Sequence, residues 1–153
     1  MTDHNVFISH RHEDDALLVR LKELLARSGA NVRDSSMNKS NFNDAKDPDY
    51  IKSMLADRIN WAGTTIVLVT PNTKDHAWVD WEIEYANKQD KRIIGVWGPD
   101  SEGCELPEPL QMFANAVIEW DDQAIIDALK GADNWHNPDG SERTLVPASR
   151  IGC

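Results

Sequence analysis

The 153-residue sequence has few cysteines and no long apolar run. Its two cysteines are Cys104, in a loop flanked by Gly and Pro, and Cys153, the last residue. This placement disfavours a structural disulfide and indicates a reducing compartment. No stretch approaches the ~20 apolar residues of a membrane span, and the polar start "MTDHN" does not resemble a signal peptide. We therefore expect a cytoplasmic protein.

Positive charge is also scarce, with 16 Lys and Arg against 26 Asp and Glu, for a net charge of −10. Binding to nucleic acid or to an anionic membrane needs clustered Lys and Arg, so we predict neither partner. Walker and dinucleotide-binding glycine motifs are absent. His10 and His12 form an H-x-H pair without a third ligand in register, which is too little for a metal site. We predict no metal and no resident cofactor.

Apolar runs alternate with segments of helical periodicity along the chain. Predicted strands cover residues 6–9, 30–36, 64–70, 92–97 and 116–120, and predicted helices cover residues 14–27, 48–59, 78–88, 110–114 and 122–129. Such alternation predicts an α/β fold of the flavodoxin-like type, with a five-stranded parallel sheet in the order 2-1-3-4-5 and helices on both faces. Residues 1–131 form the predicted domain. Residues 132–153 are a polar tail that packs on the domain or extends from it.

In this fold, ligands bind outside the carboxyl ends of the first and third strands. That rule selects the loops at residues 9–14, 34–36 and 70–74. Two common uses of the fold do not suit these loops. A phosphate-accepting receiver domain needs Asp at the end of the third strand, where this chain has Thr70. A flavodoxin needs a Ser/Thr/Gly phosphate loop after the first strand, where this chain reads "SHRHEDD".

The helix in "HAWVDWEIEYANK" places a carboxylate on its apolar face. At 100° per residue, Glu82 falls near the centre of the arc that carries the Trp, Val and Ile side chains. A buried carboxylate costs several kcal/mol without a partner or stays protonated. One interpretation is a structural ion pair with Arg11 or Arg33. The other is a carboxylate at the ligand cleft, suited to stabilising the positive charge that develops on a ribose when its glycosidic bond breaks. Trp78 suits either the core or stacking on a nicotinamide or adenine ring.

Two motifs in order resemble those of TIR and TIR-like domains. "VFISHRHED" is similar to their first signature box, and "TTIVLVTPNTKDHAWVDWEIEYA" is similar to their third strand, following loop and W-V-x-x-E helix; "KRIIGVW" matches their fourth strand. The resemblance spans roughly residues 5–120. Among single-domain members, the TIR-like subunit of bacterial Thoeris anti-phage systems is the most similar in size and motif.

The resemblance implies an enzyme that cleaves the nicotinamide–ribose bond of NAD+ and releases an ADP-ribose-derived signal. A separate effector protein would respond to that product, and homo-oligomers are compatible with the family. Glu82 corresponds to the catalytic glutamate. The resemblance and the fold together assign substrate binding to Ser9, His10, Arg11, Asp34, Ser35, Thr70 and Trp78.

Two alternatives stay open at this point. A non-catalytic TIR-like adaptor would act by protein–protein assembly. A nucleoside deoxyribosyltransferase-like enzyme would use a carboxylate on a related fold, although the motif around Ser9 fits it less well.

Overall fold

A computed structural model of the chain describes residues 3–10, 14–27, 31–34, 48–71, 73, 77–99, 106–138 and 140–142. Strands and helices alternate throughout these ranges. The strands are β1 (Asp3–Ser9), β2 (Asn31–Asp34), β3 (Thr64–Val69), β4 (Arg92–Trp97) and β5 (Ala116–Ile118). The helices are α1 (Asp15–Arg27), α2 (Pro48–Trp61), α3 (Ala77–Lys88), α4 (Glu108–Phe113) and α5 (Asp122–Leu129).

The strands form one sheet in the order β2-β1-β3-β4-β5. Every neighbouring pair is parallel. The prediction of an α/β fold with a parallel sheet and helices is therefore confirmed. None of the helices in the described ranges is long and apolar enough to cross a membrane.

The sheet separates two apolar clusters, because successive side chains of a strand point to opposite faces. Val6 and Ile8 of β1 belong to a cluster that includes the buried side chains of α1 and α5. Phe7 belongs to a second cluster with the buried side chains of α2, α3 and α4. Helices therefore cover both faces of the sheet.

The start of β1 and the end of β5 differ from the sequence prediction. β1 begins at Asp3, before its apolar run, because Asp3 pairs in register with Asn31 of β2. Backbone pairing therefore extends this strand beyond the segment that apolar side chains mark. β5 ends at Ile118 rather than at residue 120, since Asp121 is the N-cap of α5 and its side chain accepts a hydrogen bond from Ala124 N.

The segment after α5 packs against the edge of the sheet. Val117 N of β5 donates to Asn134 O, and His136 N donates to Val117 O. Trp135 consequently forms an isolated parallel bridge with Val117. Residues 134–136 thus extend the sheet beyond β5, while residues 143–153 of the predicted tail lie outside the described residues.

The turn that leads from α3 to β4 contains a position where we expect glycine to stabilise the protein. Asp90 has φ = 58°, a left-handed conformation that side chains with a Cβ disfavour. We expect Asp90→Gly to raise the free energy of unfolding by about 0.5–1 kcal/mol, as measured by urea denaturation. Asp90→Ala is the control, and it should lower the stability. A glycine variant less stable than the wild-type protein would contradict the prediction.

Candidate active site

A buried hydrogen bond joins the end of β1 to α3. Ser9 is the last residue of β1 and shares the face of Phe7, which points toward α2 and α3. Glu82 lies in the second turn of α3. Ser9 Oγ donates to Glu82 Oε1 at 2.7 Å, and both side chains are 0% exposed. The carboxyl end of β1 and the first half of α3 therefore hold the Glu82 carboxylate in a defined orientation.

The helical periodicity of α3 explains the burial of Glu82. Val79, Ile83 and Ala86 are fully buried in the cluster on this face of the sheet. Glu82 lies among them on the same side of the helix, whereas Glu84 is exposed. The predicted position of Glu82 on the apolar face is confirmed by this burial. A hydroxyl donor close to the carboxylate offsets part of the cost of removing it from water.

The carboxyl end of β3 carries a second polar group on the opposite face of the sheet. Thr70 Oγ1 donates to Asp14 Oδ2 at 2.6 Å. Thr70 N donates to Thr73 Oγ1 at 2.9 Å, and Thr73 Oγ1 donates to Leu68 O at 2.9 Å. Asp14, Thr70 and Thr73 are all buried. Polar side chains therefore lie at the carboxyl ends of both β1 and β3, where the fold rule expects a ligand.

His10 and Trp78 are close in sequence to Ser9 and Glu82. Their side chains differ in how deeply they are buried. His10 is fully buried, with Nδ1 3.4 Å from Ile8 O. Trp78 is half-buried and meets Trp81 edge to face, with 6.2 Å between the ring centroids. Trp81 in turn stacks on Tyr85 at 5.2 Å. Trp78 thus begins a row of aromatic side chains along α3 and leaves part of its surface accessible.

The structure brings together some of the predicted site residues. Ser9 and Glu82 are in direct contact, and Thr70 directly follows the neighbouring strand β3. Arg11 and Ser35 lie outside the described residues, and so does the side chain of Asp34, although its backbone ends β2.

The predicted ligand loops at residues 9–14 and 70–74 include Asp14 and Thr73, but neither residue was predicted as a site residue. A usable signal was present, because Asp14 follows β1 and Thr70 follows β3, and the two strands are neighbours in the predicted order. Within the described ranges, no group of three or more His, Cys, Asp or Glu side chains is arranged to hold a metal ion.

The arrangement of Ser9 and Glu82 suits electrostatic stabilisation. A carboxylate that is held in place and shielded from water interacts more strongly with a developing positive charge than a solvated one. The hydroxyl of Ser9 fixes its orientation, so little rearrangement is needed when such a charge appears. Breaking an N-glycosidic bond to a ribose creates a positive charge of this kind.

Removal of the Ser9 hydroxyl provides a direct test of this contact. We expect Ser9→Ala to lower the free energy of unfolding by about 1–3 kcal/mol, because the buried carboxylate loses a donor. Urea denaturation measures the change. Ser53→Ala, at an exposed position of α2, is the matched control and should change stability by about 0.5 kcal/mol or less. Equal effects of the two substitutions would show that the hydrogen bond contributes nothing.

Comparisons with known proteins give one family and several solved structures, among them two weak structural likenesses. The family model described as "Thoeris protein ThsB, TIR-like domain" matches residues 7–102. A search of curated proteins found no match. The structure of the Clostridium botulinum CMP N-glycosidase BcmB is similar with a TM-score of 0.49 and 19% identity, covering 82% of this chain and 98% of that one. A 3-dehydroquinate dehydratase-like protein from Bifidobacterium longum has a TM-score of 0.45 and 12% identity, covering 85% of this chain and 94% of that one. Neither likeness indicates an activity for this chain.

Proposed function

Because this chain belongs to the family of the TIR-like domain of the Thoeris protein ThsB, we propose that it cleaves the nicotinamide–ribose bond of NAD+. The ADP-ribose-derived product would serve as a signal in bacterial anti-phage defence, formed in the cytoplasm and read by a separate effector protein. The observation that carries the proposal is the hydrogen bond from Ser9 Oγ to Glu82 Oε1 at the carboxyl end of β1. It supports a flavodoxin-like ligand crevice next to a fixed carboxylate.

Glu82 would act as the catalytic carboxylate. As the bond between nicotinamide nitrogen and ribose C1′ breaks, its electron pair leaves with nicotinamide and positive charge develops on the ribose. The carboxylate would stabilise that charge, and Ser9 would keep the carboxylate oriented. Water or a hydroxyl of the ADP-ribose moiety would then bond to C1′ and lose its proton. The product is linear or cyclic, depending on which of them reacts.

Other residues would bind the dinucleotide around this carboxylate. We assign this role to Ser9, His10, Arg11 and Asp34 as well as to Ser35 and Trp78. The sequence also predicted it for Thr70, whose hydroxyl instead donates to buried Asp14. The partly accessible Trp78 ring supports stacking on a nicotinamide or adenine ring. Glu82 is fully buried, so NAD+ must displace the groups that cover it. A conformational change on binding is therefore part of the proposal.

A second candidate function is a non-catalytic assembly module. The complete burial of Glu82 and its contact with Ser9 favour it, because a structural carboxylate inside a protein has the same features. In that case Glu82 would stabilise the link between β1 and α3, and the surface would bind other TIR-like domains.

Incubation of the purified protein with NAD+, followed by chromatography of free nicotinamide, tests the proposed function. We expect release of nicotinamide together with an ADP-ribose product, in buffer or in extract from phage-infected cells. Parallel reactions with a deoxynucleoside and a free base test the deoxyribosyltransferase alternative. Base exchange without nicotinamide release would support that alternative. Absence of both reactions in infected-cell extract would support the assembly module.

A further inference from the structure

The buried hydrogen bonds of Asp14, Thr70 and Thr73 hold the beginning of the connection from β3 to α3. Thr73 Oγ1 accepts from Thr70 N and donates to Leu68 O, and Thr73 N donates to Thr70 O at 3.1 Å. Thr70 and Thr73, at the two ends of the turn, are therefore hydrogen-bonded to each other. Asp14 adds a contact from outside the turn, through its 2.6 Å hydrogen bond with Thr70 Oγ1.

Strand geometry places this cluster on the face opposite to Glu82. Side chains at positions 66, 68 and 70 alternate with those at 67 and 69. Ile66 and Leu68 pack with α1, and Thr70 continues their direction toward Asp14 at the start of that helix. The Ser9–Glu82 hydrogen bond lies on the α3 side. At the carboxyl ends of β1 and β3, each face of the sheet therefore has a buried hydroxyl–carboxylate hydrogen bond.

The chain connects these two hydrogen bonds directly. Thr73 precedes the first residue of α3, Ala77, by four positions, and Glu82 follows in the second turn. A shift of the turn at residues 70–73 would therefore move the beginning of α3, because α3 is a rigid helix joined to it by a short segment. Movement of α3 would change the position of the Glu82 carboxylate relative to Ser9, which is fixed at the end of β1.

We propose that Asp14, Thr70 and Thr73 are positioning residues, which fix the beginning of α3 and thereby the Glu82 carboxylate against Ser9. Thr70 then acts through its hydrogen bond to Asp14 and not through contact with the nucleotide. The effect on turnover rests on the function proposed above. The effect on the order of α3 does not depend on it.

Substitution of Thr70 by valine removes the hydroxyl and keeps the branched shape. We expect amide hydrogen exchange at residues 81–85 of α3, the first amides with an acceptor inside the helix, to become about 5- to 10-fold faster, because one buried hydrogen bond is lost. In the nicotinamide assay, kcat should fall about 10-fold while KM for NAD+ changes less than about threefold. Thr70→Ser keeps the hydroxyl and should preserve both values.

Thr65→Val, the same substitution five residues earlier in the chain, is the matched control. Within the described chain, Thr65 Oγ1 is buried and has no hydrogen-bond partner. Thr65→Val should therefore leave exchange in α3 unchanged and raise the thermal midpoint. Asp14→Asn keeps the size of the side chain and weakens the charged acceptor. It should accelerate exchange at residues 81–85 by about two- to threefold, and it provides the test if Thr70→Val does not fold.

Two results would overturn the proposal. The first is that amide exchange in α3 is as slow in Thr70→Val as in Thr65→Val. If Thr70→Val does not fold, the same comparison is made between Asp14→Asn and Thr65→Val. The second is a rise of KM at unchanged kcat, since this would indicate that Thr70 contacts the substrate. If the wild-type protein releases no nicotinamide, the proposed function fails, and the exchange rates alone decide the positioning role.

Discussion

Replacement of Glu82 by glutamine is expected to slow nicotinamide release from NAD+ by at least about 100-fold while the protein remains folded. Glutamine has nearly the same shape as glutamate, and its carbonyl oxygen can still accept the hydrogen bond that Ser9 Oγ donates to Oε1. What disappears is the negative charge that, under the proposed function, stabilises the ribose in the transition state. Because that charge acts mainly on the transition state, kcat should fall and KM should change little.

Glu84→Gln provides the matched control for this experiment. Glu84 lies on the same helix two residues later, but it is exposed. Its substitution should leave both nicotinamide release and the thermal midpoint unchanged. If Glu82→Gln releases nicotinamide at the wild-type rate, Glu82 is not catalytic. A folded, active Glu82 variant would favour the structural role of the Ser9 contact.

Local patterns account for the parts of the site that sequence alone could predict. The 100° period of α3 was sufficient to place Glu82 among buried Val79 and Ile83. A continuous apolar run likewise gave the bounds of β4. These features depend on neighbours within a few residues, so they are readable without the tertiary structure.

Contacts between distant residues were not predictable in the same way. Ser9 and Glu82 are 73 positions apart, and Thr70 and Asp14 are 56 apart. The strand order brings such pairs to one edge of the sheet, but side-chain orientation decides which hydroxyl meets which carboxylate. Sequence therefore predicted a cleft containing Ser9, Thr70 and Glu82, and it did not predict the division into two hydrogen-bonded pairs on opposite faces.

The position of the segment after α5 depends on a different kind of contact. Residues 134–136 pair with β5 through backbone hydrogen bonds, which leave no periodic pattern in the side chains. Trp97, at the end of β4, adds a side-chain contact, because its Nε1 donates to His136 O at 2.8 Å. Trp97 is fully buried and is among the largest fully buried side chains of the described chain. It therefore links the core cluster that includes the buried side chains of α3 to residues 134–136 beside β5.

We expect Trp97→Ala to lower the free energy of unfolding by about 3–5 kcal/mol, since it leaves a large cavity and removes the donor to His136 O. This is a large part of the ~5–15 kcal/mol that stabilises a typical domain. Urea denaturation measures the loss, and Trp61→Ala, at a tryptophan that is 45% exposed, should cost about 1 kcal/mol or less.

Trp97→Phe keeps most of the ring volume without the indole N–H. It should therefore cost about 1–2 kcal/mol and accelerate amide exchange at His136, whose N–H pairs with Val117 O. Unchanged exchange at His136 in the phenylalanine variant would mean that Trp97 stabilises the core alone and that backbone pairing with β5 is sufficient to hold this segment.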